Sequence, residues 1–309
     1  MRMSSTRARG ALVTALAVVA ALVVVMVPTG AASASGFGTQ RGPNPTLAMI
    51  GASKGSFATA QLKVSPGNGF NGGEVYYLTD TSLGTWGALA IVPGYTAKCA
   101  AQEAWMGPWL ASFGFVVICV ETNTPTDWDT TRGQELLSAL TWLTNTSPVK
   151  SRVDPNRLAV MGHSMGGGGV VYATEHKPAL KAGIELAPFS PSQNMSSDTV
   201  PTLVFGGQKD PTVTPSYLKG LYATMPAATK SAFAQIAGAD HLFYTHPNDI
   251  QMKLVIPWLK TFIDNDNRYG QFLCPSLPDP AKISMYQPKC PFHSTNVRSQ
   301  MTATAISGG

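Results

Sequence analysis

The 309-residue chain has no Pro/Ser/Gly-rich linker and no internal repeat that would divide it. One large core is therefore expected instead of a string of modules. It also lacks any run of lysines and arginines, so the sequence signature of a nucleic-acid partner is absent. The formal charge of +5 is partly a property of one end, because three of the 22 basic residues are Arg2, Arg7 and Arg9. Without them 19 basic residues face 17 acidic ones, a balance of about +2. No sequence feature fixes a metal site, and the chemistry read below requires neither a metal nor an organic cofactor. Cysteine is scarce, with four in the whole chain.

The amino terminus carries a pattern of its own. Arg2, Arg7 and Arg9 precede an apolar run over 11–27 and then Ala32-Ser33-Ala34, the order of a charged region, a hydrophobic region and a small-residue cleavage site. Residues 1–34 read as a signal peptide, giving a secreted protein with no stable membrane association after cleavage. The run is also at the short limit for a spanning helix, so an uncleaved anchor is the alternative. The remainder, 44% hydrophobic over the full chain, reads as one catalytic domain over 35–292, followed by a polar, aperiodic, disordered tail over 293–309.

In an exported chain, four cysteines favour disulfides. Cys274 and Cys290 bracket a Pro-rich segment after the last expected helix, and bridging them would staple a segment with little core of its own. Cys99 and Cys119 either form a second bridge or leave Cys119, amid Val117, Ile118 and Val120, as a buried free thiol.

Apolar strands are expected over 73–78, 87–92, 115–120, 157–161, 182–186, 202–205 and 232–236. Several are continuous apolar runs, which suit a parallel sheet covered on both faces. Helical patterns at 102–113, 132–145, 165–176, 215–224 and 249–264 fall between or after them. The expected class is α/β, a mostly parallel central sheet with helices on both faces. Pro257 inside the last helix removes one hydrogen bond and should kink it.

Within this frame, Leu158 to Met161 runs into Gly162-His163-Ser164-Met165-Gly166, a G-x-S-x-G turn between an apolar strand and a helix. Such a turn strains the serine backbone, and glycines two residues either side remove the side chains that would clash. Ser164 Oγ is then exposed at the sheet edge beside a helix N-terminus. Asp154-Pro155-Asn156 reads as the turn before that strand. The motif is short enough to arise by chance, so the decision rests on its partners.

An acid and then a histidine should follow, each in a loop at the carboxyl end of a later strand. Strand 202–205 exits to Asp210 and strand 232–236 exits to His241, at spacings of 46 and 31 residues. Asp198 lies before its strand, at the wrong end, and Asp240 is too close to His241 to orient it and reads as a turn residue. His176 and His293 read as surface residues, and His246 as a loop residue that rivals His241. The assigned roles are nucleophile for Ser164, general base and acid for His241, and orienting carboxylate for Asp210. The rate should then rise with pH as the imidazole loses its proton and level off in the mildly alkaline range. Two backbone donors should receive the oxyanion, Met165 N–H and Tyr95 N–H in the loop Pro93-Gly94-Tyr95-Thr96. The Tyr95 ring is either a wall of the acyl pocket or an exposed turn aromatic, and His163 is expected to line the cleft.

Taken together, 41–46 (RGPNPT), 93–96 (PGYT), 162–169 (GHSMGGGG), 258–260 (WLK), 264–266 (DND), 268–269 (RY), 271–275 (QFLCP) and 290–292 (CPF) make the chain resemble the bacterial cutinases and polyester hydrolases, including those that degrade poly(ethylene terephthalate). The resemblance implies a lidless α/β-hydrolase with an open cleft, hydrolysis of carboxylic esters in polymers, and a disulfide matching Cys274 to Cys290. It further implies that Tyr95 and Met165 line the acyl subsite beside Thr96, and that the partner is an insoluble polyester or a small ester met by a monomer. Where the family carries tryptophan after T-P, this chain has Ala187-Pro188-Phe189, so Phe189 would stack on an aromatic acyl group. An apparent one-residue insertion after Asp210 puts Val213 near the family's substrate-lining isoleucine. A short-chain esterase or lipase without polymer activity is the alternative. A secreted peptidase lacks support because nothing here suggests a propeller or lid domain, and a non-catalytic adhesion protein would not need all three triad residues in order.

Overall fold

In the computed structural model the described residues are 39–274 and 276–292. The expected signal segment, the expected tail and His293 lie outside them. One sheet contains β1 (Thr59–Val64), β2 (Gly73–Leu78), β3 (Trp86–Val92), β4 (Phe115–Val120), β5 (Val153–His163), β6 (Ala182–Leu186), β7 (Thr202–Gly207), β8 (Ser231–Ile236) and β9 (Ile283–Pro288). Their spatial order is β1-β2-β4-β3-β5-β6-β7-β8-β9. From β4 to β8 every pairing is parallel, while the edge pairings β1–β2, β2–β4 and β8–β9 are antiparallel. All seven expected strands form, and the central ones are buried along their length, as continuous apolar runs require.

Alternate residues of each strand face opposite layers. Leu89, Ile91, Val117, Met161, Ile184 and Phe205 pack under α3 (Met106–Ser112) and α7 (Asp249–Phe262), with the short α1 (Leu47–Gly51) and α2 (Cys99–Gln102) at that face. Ala88, Ala90, Val116, Ile118 and Val160 pack under α4 (Asp129–Asn145) and α5 (Met165–His176). A third cluster joins Val204 and Phe233 to Leu218 and Leu221 of α6 (Pro215–Ala223).

Three elements differ from expectation. The helix expected over 102–113 is two helices, because Pro108 belongs in a first turn, where its missing N–H and its ring do no harm, and cannot sit mid-helix. The turn expected at 154–156 is an irregularity inside β5: Trp86 pairs with Val153 but Ala88 with Leu158, and Asp154 Oδ1 accepts the Asn156 N–H at 2.9 Å. The Pro-rich segment contributes β9, an added edge strand.

Cys274–Cys290 is bridged as expected, and so is Cys99–Cys119, which ties the start of α2 to β4 and settles the open choice there. At the amino ends of the central strands Arg157 joins Asp154 at 2.8 Å and Asp264 at 2.9 Å, and Lys260 joins Asp264 at 2.8 Å. Arg268 pairs with Asp266 at 2.7 Å and donates to the carbonyl of Arg41 and to Asn44 Oδ1. Several of the stretches that carry the family resemblance are thus structural ties, remote from Ser164.

Candidate active site

The strand β5 ends at His163, α5 begins at Met165, and Ser164 between them has φ 54 and ψ −119. This left-handed region is costly for a non-glycine residue and persists only where the surroundings over-determine it. Here they do. A Cβ on Gly162 would run into the Gly166 carbonyl, and one on Gly166 would lie 2.5 Å from Pro93 O and 2.6 Å from Val92 O. The Ser164 carbonyl accepts from Phe189 N at 2.9 Å and from Gly168 N at 3.1 Å.

Beyond β7 and β8 the two loops converge on that serine. His241 Nε2 lies 2.9 Å from Ser164 Oγ, and His241 Nδ1 lies 2.8 Å from Asp210 Oδ2. Asp210 Oδ1 accepts the Thr212 and Val213 N–H groups, each at 2.8 Å. Burial alone would raise the Asp210 carboxyl, but the His241 hydrogen bond, the two backbone donors and the charge of His241 together hold it below its ordinary value. An ionised Asp210 requires the His241 proton on Nδ1. That leaves the Nε2 lone pair facing the serine hydroxyl.

The loop after β3 comes close on the other side. A Cβ on Gly94 would be 3.3 Å from Ser164 Cβ, so Tyr95 follows directly against the elbow. Among the described residues no protein acceptor takes the Tyr95 or the Met165 N–H. Tyr95 and Thr96 are exposed, Met165 is buried, and Phe189 is half-buried against the Tyr217 ring at 5.9 Å. Tyr217 is fixed in turn by donating its hydroxyl to Ser190 O at 2.6 Å.

Two expected cleft residues are corrected by their burial. His163 is 2% exposed because strand alternation turns it away from the face of Ser164. Its Nε2 donates to the His241 carbonyl at 2.9 Å, and its Nδ1 faces Glu103 Oε1 at 3.7 Å. Burial foremost, then the nearby His241, push it down to about 4, so it is neutral at neutral pH. Val213 is 1% exposed, packed with Met195, Val204 and Leu218. The Asp210 carboxylate captures the backbone at 212–213 and folds that side chain inward, so Val213 helps position Asp210 and does not line a cleft. Asp240 accepts from Leu242 N in a turn, Asp198 is buried against Thr202, and His246 is exposed, as expected of each.

Some residues around the site were not anticipated. Arg132 is fully buried and donates to three carbonyls: Asp127 at 2.7 Å, Pro93 at 2.9 Å and Pro125 at 2.8 Å. With Thr96 N donating to Pro125 O at 2.7 Å, it ties the Tyr95 loop to the segment leading into α4. Trp128, at the head of α4, has its ring centroid 6.3 Å from that of Tyr95. Arg132 sits on the same helical stripe as Leu136, Ala139, Leu140 and Leu143, and a cation on an apolar stripe is the signal that would have singled it out. Glu103 and Glu185 are fully buried, and among the described residues neither carboxyl oxygen of either has a hydrogen-bond partner; burial pushes both carboxyls well above their ordinary value.

Comparison with known proteins agrees with this architecture. The family model described as PET hydrolase-like matches residues 32–291. The chain is 42% identical over 297 residues to a cutinase of Thermobifida fusca, covering 94% of this chain and 97% of that one. It is 44% identical over 284 residues to a bis(hydroxyethyl) terephthalate hydrolase of Streptomyces coelicolor, covering 90% and 91%. A third relative, cutinase 1 of Thermobifida cellulosilytica, is 44% identical over 261 residues, 82% of this chain and 98% of its own. On its sequence and its fold, this chain belongs to the PET hydrolase-like family.

Proposed function

We propose that the protein is a secreted, monomeric carboxylic ester hydrolase that cleaves polyesters through an acyl-enzyme on Ser164. The observation that carries this reading is the unbroken hydrogen-bonded relay from Ser164 through His241 to Asp210, built on a strained serine. His241 Nε2 takes the hydroxyl proton as Ser164 Oγ attacks the ester carbonyl. The resulting oxyanion is received by the N–H groups of Tyr95 and Met165, which no acceptor among the described residues takes and which lie close to the serine. Collapse expels the alcohol with the proton held by His241. Water then gives a proton to His241, attacks the acyl carbonyl and releases the acid, restoring Ser164. Asp210 keeps Nδ1 protonated and stabilises the imidazolium.

Polymer access is supported by the rim. Tyr95, Trp128 and Leu242, the last beside His241, are large apolar side chains about half exposed. Phe189, braced by Tyr217, offers a ring for an acyl group, and Thr96 adds an exposed hydroxyl. The names of the relatives, cutinase and bis(hydroxyethyl) terephthalate hydrolase, favour cutin-like and aromatic polyesters as the substrate class. Secretion rests on the pattern in residues 1–34.

The test is product release by residues 35–309 from a soluble short-chain ester, cutin and an amorphous aromatic polyester film, beside Ser164→Ala. Release from a polymer that vanishes in the variant is expected. Hydrolysis of the soluble ester alone would reduce the protein to a short-chain esterase.

A further inference from the structure

Trp128 is not needed for the chemistry above, and local rules disfavour it where it stands. It is the N-cap of α4 and makes no side-chain cap hydrogen bond, at a position where Ser, Thr, Asp or Asn normally satisfies a free N–H. It is also 54% exposed, although a tryptophan gains more than most side chains from burial. A residue that breaks both rules at the edge of a reactive serine points to a ligand.

Its position is held from two sides. Arg132 clamps the carbonyls of Pro93, Pro125 and Asp127, so the backbone before Trp128 and the backbone before Tyr95 are fixed to one guanidinium. Asp127 closes the turn by accepting from Thr124 N at 2.7 Å and Thr124 Oγ1 at 2.8 Å. On the other side a Cβ on Gly168 would meet both the Phe189 carbonyl and Asp129 Cβ, so the head of α4 abuts the loop whose Phe189 N–H donates to Ser164 O. Tyr95, Trp128 and Phe189 therefore gather around one end of the sheet, with Ser164 among them. The Tyr95 and Trp128 planes are inclined at 53°, open to solvent and not closed on each other.

We propose that Trp128 is a substrate-binding residue. With Tyr95 it forms a second aromatic platform beside the Phe189 ring, and this platform holds the next aromatic ring along a polyester chain whose scissile ester sits at Ser164. The ligand class is an aryl polyester segment of at least two rings. This rests on the polyester reading above and extends it to a specific subsite.

The experiment compares Trp128→Ala and Trp128→Phe with the unaltered enzyme on a short aliphatic ester and on a soluble two-ring aromatic diester. Its readout is the ratio of kcat/KM between the two substrates. Removing one stacking partner should lower the two-ring to aliphatic ratio by about 2- to 12-fold, through KM, with most of it restored by Trp128→Phe. An unchanged ratio in Trp128→Ala, with the unaltered enzyme active on both substrates, overturns the subsite and leaves the polyester reading standing. If the unaltered enzyme hydrolyses only the aliphatic ester, the subsite falls together with the aromatic part of the polyester reading, and release from cutin would leave the aliphatic part standing. Adsorption of Ser164→Ala to an aromatic polyester film, with and without Trp128→Ala, gives the same comparison without turnover, and equal adsorption would likewise overturn the platform.

Discussion

Replacing Asp210 by Asn isolates what the buried carboxylate does for His241. Asn keeps an oxygen where Oδ1 accepts the Thr212 and Val213 N–H groups at 2.8 Å, so the loop should retain its shape. What changes is the atom 2.8 Å from His241 Nδ1, where an N–H₂ donor replaces an acceptor. The imidazole then holds its proton on Nε2 and points it at Ser164, the tautomer that cannot accept the hydroxyl proton. Losing the working tautomer costs roughly 10⁴ in kcat, or about 5.4 kcal/mol of transition-state stabilisation. The loss in folding stability is bounded by one charge-assisted hydrogen bond, about 1.5–3 kcal/mol. Asp210→Ala would also orphan two backbone N–H groups, at about 1–3 kcal/mol each, so it is the less selective variant. The assay is kcat on a soluble chromogenic ester, paired with thermal melting. A loss under tenfold with an unchanged melting curve would refute the assigned role. The pH dependence gives a second check. Because folding lowers the Asp210 carboxyl, its contribution is present above the unfolded value near ~3.9 and lost as pH falls through the folded value. Asp210→Asn should therefore lose less stability on acidification than the unaltered protein.

Removing the Cys99–Cys119 bridge by a double Ala substitution opens a loop of sequence separation 20, and chain entropy sets the loss at about 3 kcal/mol. Chemical denaturation that finds under ~1 kcal/mol would contradict this. Glu185→Gln should stabilise the protein more at pH ~8 than at pH ~5. The folded carboxyl is raised by burial and by Asp198 and Glu175, so the stability present below the unfolded value is lost as pH rises through the folded one. Equal shifts in Tm at the two pH values would show that Glu185 does not titrate in this way. Gly166→Ala drives a Cβ to within 2.6 Å of the Val92 carbonyl and 2.5 Å of Pro93 O, and should cost about 1–3 kcal/mol while displacing the Tyr95 loop. A variant of full stability and full activity would mean the elbow is not as tightly packed as these distances require.

The central strands were legible because burial on both faces leaves a continuous apolar run, and the order Ser164, Asp210, His241 was legible because each follows such a strand. β1 and β9 were not, since an edge strand is half exposed and its sequence (TAQLKV, ISMYQP) mixes polar residues into the alternation. The direction of His163 was misread because adjacency to Ser164 in sequence places it on the opposite face of the strand end. Val213 was misread because its inward turn depends on the Asp210 carboxylate capturing two backbone N–H groups. Arg132 and Trp128 act through loops distant in sequence, Pro93 and Tyr95, and only the folded chain brings those together. The two buried glutamates, Glu103 and Glu185, had no local signature at all.

The most direct test of the account is the site of covalent attachment. Treatment of the enzyme with a serine-reactive aryl phosphonate, followed by peptide mass analysis, should place a single adduct on Ser164 and abolish esterase activity in step with labelling. Labelling should disappear in Ser164→Ala. An adduct on another residue, or full labelling of the variant, would contradict Ser164 as the nucleophile.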